Sequence, residues 1–531
     1  MKNDSARRWR HDPISELNGG NEMTKWRVGS HMLSFSLFSV GMLFFLWTAP
    51  WQAMECGADE GMEFSKMLLL LRHHELLNLA WNDQPWFYSQ VFTSIFNITG
   101  FICGIPRLAT FLVTLGMFLS FRRLMPTGAG SLHLLCSWAF FLCFADMLPL
   151  SVSAMLEMPA FGLATIAVAL TPRKLSEWHF WRFCCAGILL AVAVQIKLTA
   201  AIVLPGFAAE MAAAWRREEV DICRPSAIRL LFAPILGLGV FGLMSTLIVW
   251  WSPSWNWSML VDNHLTAGAT SQAAKLRFDW TTLLQSPGTV AAAILGLVLL
   301  GRQRRLSEAT YIIGLIGTVL LIHTNHRPWW DYYQIHFAVP LAILGGWGAG
   351  ELLRIARAGS GGSGIMRGCF LDQDAAMMLG CLTVALWVGC ELPRGYANAW
   401  SLQEKQRIAD SEEVRILRKY QPRANWAYTR LNNLAAQSGL TLPPELTILP
   451  QKRFWTGEAT EISVLDTVKR YQCDVLVLMT DVELKQKAWS AFLMNDYVNV
   501  WSDRHESIFV AKRLNPIPQQ TKEKILERLG I

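Results

Sequence analysis

The sequence predicts a polytopic α-helical membrane bundle of about 11 membrane segments, followed by a C-terminal extracytoplasmic α/β domain. Three observations predict it. Hydrophobic residues fill 52% of the 531 positions and charged ones only 17%, with a mean hydropathy of +0.26, so apolar spans dominate while some soluble mass remains. Apolar runs of about 20 residues recur between short basic clusters across 31–394. From 395 to 531 the runs shorten and alternate between helical and β-rich patterns. The net charge of +7 is no nucleic-acid signature, because its basic residues are dispersed between apolar runs as orientation signals are. The cysteines, mostly in apolar runs, show no CxxC or Cys/His spacing that marks a metal site or disulfide scaffold.

Residues 1–30 carry Arg7, Arg8, Arg10, Lys25 and Arg27, which predicts a cytoplasmic tail ahead of an uncleaved first span at about 31–51. An acidic outer loop, 52–97, follows. Within it Phe64, Met67, Leu68 and Leu71 fall at helical spacing, with Ser65, Lys66, Arg72 and His73 on the other side. That pattern predicts an amphipathic helix lying on the membrane surface, with Asp59 and Glu60 at its N-terminal end. Taken alone, Asp59 reads equally well as a helix N-cap.

Further spans are expected at about 98–120, 130–148 and 152–170, the last two as a hairpin whose turn carries Asp146 and Glu157. The next run, 183–213, is long and interrupted by Gln195 and Lys197. One tilted span would reverse every later loop, whereas two short helices hinged at Lys197 would not. Loops 214–229, 302–307 and 352–373 hold ten basic residues, against three in 252–283 and 324–333, so the positive-inside rule favours two short helices. Spans at about 229–251, 284–301, 308–323, 334–353 and 374–393 complete the bundle and leave the C-terminal part outside.

In 395–531, helices are expected at 402–419, 461–471 and 483–494, with β runs at Trp426–Thr429, Leu446–Leu449, Asp474–Met479 and Ser507–Ala511. No Gly-rich phosphate loop accompanies them, so this domain is expected to cap or recruit. A glycine stretch near 359–364 reads as a flexible inner loop.

Charges beside membrane-embedded sequence are costly unless they have a partner or a task. On this topology Asp59, Glu60, Asp83, Arg107, Asp146, Glu157, Lys197, His323, His326, Arg327 and Asp331 come from separate segments to one depth. Salt bridges between helix ends account for any one of them; the whole set points to a cavity for a lipid-phosphate substrate. There a carboxylate takes the proton of an acceptor hydroxyl as it attacks a sugar carbon, and cations receive the leaving phosphate, inverting the anomeric centre. Trp255, Trp257, Trp329 and Trp330 fit an interfacial belt or sugar-stacking surfaces.

The chain also resembles the GT-C class of membrane glycosyltransferases, in particular the family of protein O-mannosyltransferases and the lipid A aminoarabinose transferase. The matching stretches, in the family's order, are ADEGMEFSKMLL, NDQPWFYSQVF, FNITGFICGIPRLATFL, MLEMPAFGLATIAVAL, VQIKLTAAIVLP and HRPWWDYYQIHFAVPLAILGG. The resemblance implies a GT-C bundle and a polyprenyl-phosphate-linked sugar as donor. It implies Asp59 as catalytic carboxylate with Glu60 beside it and Asp83 as second acid. Lys197 and Arg327 would bind phosphate, and Arg107, Glu157, His326, Tyr332 and Tyr333 complete the expected substrate site. Gln84 and Trp86 stand where the family commonly has a His or Lys and a second proline.

The function expected is transfer of a sugar, at the outer face of the cell (inner) membrane, to a glycan, lipid or protein acceptor, with no nucleic-acid partner. Sugar, acceptor and metal dependence stay open. A transporter or flippase of lipid-linked sugars is the first alternative, but it needs charges on both faces and an internal repeat. A non-catalytic membrane-anchored assembly protein is the second.

Overall fold

A computed structural model describes residues 36, 39–57, 59–171, 179–217, 225–252, 258–358, 373–408 and 411–514. The predicted tail 1–30, Trp255, Trp257 and the glycine stretch 359–364 lie outside the described residues. The chain up to Trp47 is a unit by itself, helical over 39–47. From Thr48 onward the bundle and the C-terminal sheet belong to one compact unit.

The first helix of that unit, α1 (Glu60–Arg72), does not lie open on a surface. Glu60, Gly61 and every residue from Glu63 to Leu70 are buried. Its apolar side faces the bundle, and its polar side is a docking face. Ser65 accepts from Asn432 at 3.1 Å, and Arg72 donates to Thr441 at 3.1 Å. Gly61 allows the approach, since a Cβ there would meet Asn433 N at 2.6 Å. The spacing that predicted an amphipathic helix was real, but Ser65 and Lys66 of the polar stripe are buried by protein, and only its end at Arg72 is exposed.

The span expected at 98–120 is α3 (Gly104–Leu124), and the segment read as outer loop before it holds a further helix, α2 (Phe87–Thr99). They part at Gly100, whose φ of 76° lies in the left-handed region that glycine adopts without strain. The predicted hairpin becomes α4 (Ser131–Cys143) and α5 (Glu157–Leu170). After α6 (Phe180–Ile196), Lys197 is extended, a short 3₁₀ turn follows, and α7 (Val203–Arg217) begins. Lys197 pairs with Glu157 at the start of α5, whereas Glu210 of α7 shares a cavity wall with Thr171 just past the end of α5. The chain thus reverses at Lys197 as two hinged helices.

The bundle continues with α8 (Pro225–Trp251), α9 (Pro287–Arg302), α10 (Thr310–Asn325), α11 (Ile335–Ala358) and α12 (Gln373–Leu386). Helices α9 and α11 pack backbone to backbone: a Cβ on Gly296 would meet the Leu344 carbonyl at 2.5 Å. Among the described residues, five helical stretches are long and apolar enough to cross a membrane, and α4, α5, α6 and α9 are shorter apolar helices.

The C-terminal part opens with α13 (Leu392–Ile408) and α14 (Glu412–Tyr420) and builds a four-stranded sheet. Its strands are β1 (Ala427–Tyr428), β2 (Val475–Met479), β3 (Tyr497–Ser502) and β4 (Glu506–Ala511), in the order β1-β2-β4-β3. The β1–β2 pair is parallel and the others antiparallel. Along β2 the side chains alternate between two buried clusters, Leu476 and Leu478 in one, Val475 and Val477 in the other. Both faces of the sheet are therefore covered, the first by α17 (Glu461–Arg470) and α18 (Lys487–Asp496), the second by α14 and α15 (Asn432–Ser438). The β run expected at Leu446–Leu449 is instead a short helix, Pro444–Thr447, favoured by proline at its start, and the strand Tyr497–Ser502 was not anticipated.

Candidate active site

A cavity of about 410 Å³ lies where the bundle meets the sheet domain. Asp59, Glu63 and Lys66 enter it from the start of α1, Asp83 and Gln84 from the loop before α2, and Glu157 from the first residue of α5. Lys197 comes from the hinge, and Trp330, Asp331 and Tyr332 from the turn before α11. The sheet domain closes the remaining wall with Ile448, Pro450, Gln451 and Lys452, the last on α16 (Gln451–Trp455). Apart from Lys66 in the middle of α1, helix ends and turns supply the charged groups, which is how a charge reaches a cavity without crossing the apolar middle of a bundle.

The charges are arranged in pairs. Lys197 pairs with Glu157, and its ammonium lies 4.9 Å from the centre of the Tyr332 ring. Lys452 pairs with Asp83, whose carboxylate is also 3.4 Å from the His264 ring. Lys66 pairs with Glu63 at 2.5 Å and donates to Asn82 at 3.3 Å, while Ser89 donates to Glu63 at 3.0 Å.

Asp59 differs. It caps α1 without a side-chain hydrogen bond to the helix, and among the described residues it forms no ion pair. Tyr332 lines the same cavity. Lys197 from the bundle and Lys452 from the sheet domain line the cavity with it.

Not every predicted residue is here. Glu60 and Arg107 have no exposed side-chain surface and do not line the cavity. Their partners account for them: Glu60 takes Arg107 Nε at 2.8 Å and Nη2 at 2.6 Å, with Cys56 N at 2.9 Å and Ala154 N at 2.7 Å. The remaining Arg107 nitrogen donates to the Pro50 and Ala53 carbonyls. This clasp ties the loop before α1 to α3 and to the segment before α5, and it places Glu60 and Arg107 outside the cavity in which they were expected. The half-exposed His326 and Arg327 sit on the neighbouring loop and are not among the cavity's lining residues. Tyr333 is buried behind Tyr332 and stacks on His323 and His336. Trp329 is buried against Phe278 and His323, away from any stacking on a ligand, while Trp330 lines the cavity and stacks on Trp455 of α16.

Sequence reasoning missed Lys452, which follows Asp83 by 369 positions in a stretch of ordinary soluble composition. Glu63 and Lys66 carried a weak signal: two opposite charges three residues apart on a helix that runs apolar from Met67 to Leu71.

No protein-family model matches the chain, and no curated protein does. Solved structures do. The crystal structure of ArnT from Cupriavidus metallidurans bound to undecaprenyl phosphate is similar with a TM-score of 0.59 and 12% identity, over 92% of this chain and 99% of that one. Its apo state gives a TM-score of 0.57 and 13% identity, over 93% and 100%. The chain has a GT-C fold. Coverage of both chains is nearly complete, so the likeness extends through the bundle and the sheet domain alike. Within this GT-C fold the cavity lies at the end of the bundle where α5 and the α6–α7 hinge meet the sheet domain.

Proposed function

We propose that the protein is a membrane glycosyltransferase that moves a sugar from a polyprenyl-phosphate donor to an acceptor hydroxyl with inversion, using Asp59 as general base. The observation that carries the reading is Asp59 itself, a carboxylate outside the lysine pairs that lines one cavity with Tyr332, Lys197 and Lys452. An ionised carboxylate in the cavity can accept a proton from an acceptor hydroxyl. The similar ArnT structure holds undecaprenyl phosphate, which agrees with a polyprenyl-phosphate donor.

In the reaction the acceptor oxygen attacks the anomeric carbon and passes its proton to Asp59. The carbon–oxygen bond to phosphate breaks on the opposite face, and the bonding pair leaves with the phosphate. Phosphate is a good leaving group when its charge is met by cations, so Lys197, with Lys66 or Lys452, does the work that a general acid does elsewhere. Each lysine is held by a carboxylate beforehand, so it is positioned without being buried unpaired.

Cells lacking the protein should accumulate one polyprenyl-phosphate sugar, and restoring the wild-type chain should deplete it. Unchanged lipid-linked sugars in its absence would contradict the reading.

A further inference from the structure

A second cavity, of about 320 Å³, adjoins the first and shares Lys452 with it. Its other walls include Trp81, Asn263, Arg453 and Glu458. Three of these residues hold a buried N–H group with no acceptor among the described residues: Trp81 Nε1, Asn263 Nδ2 and Arg453 Nε. The indole and guanidinium groups are donors only, so no rotation or tautomer satisfies them without an acceptor. Trp81 is 4% and Arg453 8% exposed, and orphaned donors at that depth are costly.

The surrounding charge points the same way. Arg453 Nε and the Glu458 carboxylate are 3.9 Å apart, beyond hydrogen-bonding distance, and Arg453 Nη1 is engaged by the Glu445 and Ile448 carbonyls at 2.7 and 2.9 Å. Lys452 and Arg453 both lie over the Trp81 ring, 5.2 and 5.3 Å from its centre, so the indole ring is flanked by two cations.

We propose that this cavity is an oxyanion site that takes a phosphate or carboxylate group carried by the acceptor. Its oxygens accept from Trp81 Nε1, Arg453 Nε and Asn263 Nδ2, and the shared Lys452 places the group beside the transfer cavity. The assignment of the oxyanion to the acceptor rests on the transfer reading; the oxyanion site does not.

The test is titration of the full chain in detergent with inorganic phosphate, followed by thermal stability. Wild type should show saturable stabilisation. Trp81→Phe, which keeps the ring beneath the cations and deletes one donor, should weaken phosphate about tenfold. Arg453→Gln should weaken it at least as much; because Arg453 also ties two carbonyls, Trp81→Phe carries the test if Arg453→Gln does not fold. No saturable effect in wild type, or equal titration by Trp81→Phe, overturns the site. In transfer assays Trp81→Phe should raise the acceptor KM and leave the donor KM unchanged; an unchanged acceptor KM overturns the acceptor assignment. Phosphate binding that depends on Trp81, in a protein that transfers no sugar, would contradict the transfer reading while leaving the oxyanion site standing.

Discussion

Arg107 and Glu60 form a two-pronged ion pair with no exposed side-chain surface, 47 positions apart in the chain and one residue away from the proposed base. Adjacent carboxylates thus have opposite fates. Successive helical residues point about 100° apart, so Asp59 at the cap faces the cavity while Glu60 turns inward.

Removing either member of that pair leaves a buried charge without its partner, at a cost of about 3–5 kcal/mol. Glu60→Gln and Arg107→Ala should therefore lower the melting temperature and yield of folded protein sharply. A Glu60→Gln protein that melts as wild type does but transfers no sugar would return Glu60 to the chemistry.

Lys197 and Glu157 are also buried and paired, but they line the cavity. Lys197→Ala should destabilise by leaving Glu157 unpaired, and adding Glu157→Gln should restore much of the melting temperature. Donor affinity should not return in the double variant, because the phosphate still lacks its cation. Recovery of the donor KM together with stability would make Lys197 purely structural.

A pH effect is expected in the sheet domain. Burial, together with the nearby Glu413 and Asp503 charges, pushes the Glu506 carboxyl from 4.5 up to about 7. As pH rises from 4.5 towards 7 the unfolded chain ionises first, so this group lowers relative stability across that window. Glu506→Gln should melt close to wild type near pH 4.5 and above it at about pH 8. A constant difference in melting temperature across that range would assign the effect to packing.

On the proposed topology, with a reversal at Lys197 and basic loops inside, the loop holding Ser307 and the segment holding Ser401 are expected on opposite sides of the membrane. Cysteines placed at these positions should label with impermeant reagent from opposite faces. Labelling of both from one face would contradict the two-helix hinge.

Much of this was legible in the sequence because charge beside apolar runs is costly and therefore conspicuous. Asp59, Asp83, Glu157 and Lys197 stood out on that ground, and all four line one cavity. Cost alone does not separate a group with a task from a group with a partner, which is why Glu60 and Arg107 read the same way. Helical periodicity found α1 but not its surroundings: a polar stripe looks alike whether water or Asn432 and Thr441 cover it. Lys452 was illegible, because an ordinary lysine in a soluble-looking domain acquires meaning only when the sheet packs it against Asp83.

The most direct measurement is the transfer rate of Asp59→Asn from the polyprenyl-phosphate sugar that accumulates without the protein. The substitution keeps size and capping ability and removes basicity. The account predicts a rate lower by about 10²–10⁴-fold with the melting temperature and donor binding preserved. Near-normal transfer by a folded Asp59→Asn protein would contradict it and leave Asp83, Glu157 and Asp331 as the carboxylates to test.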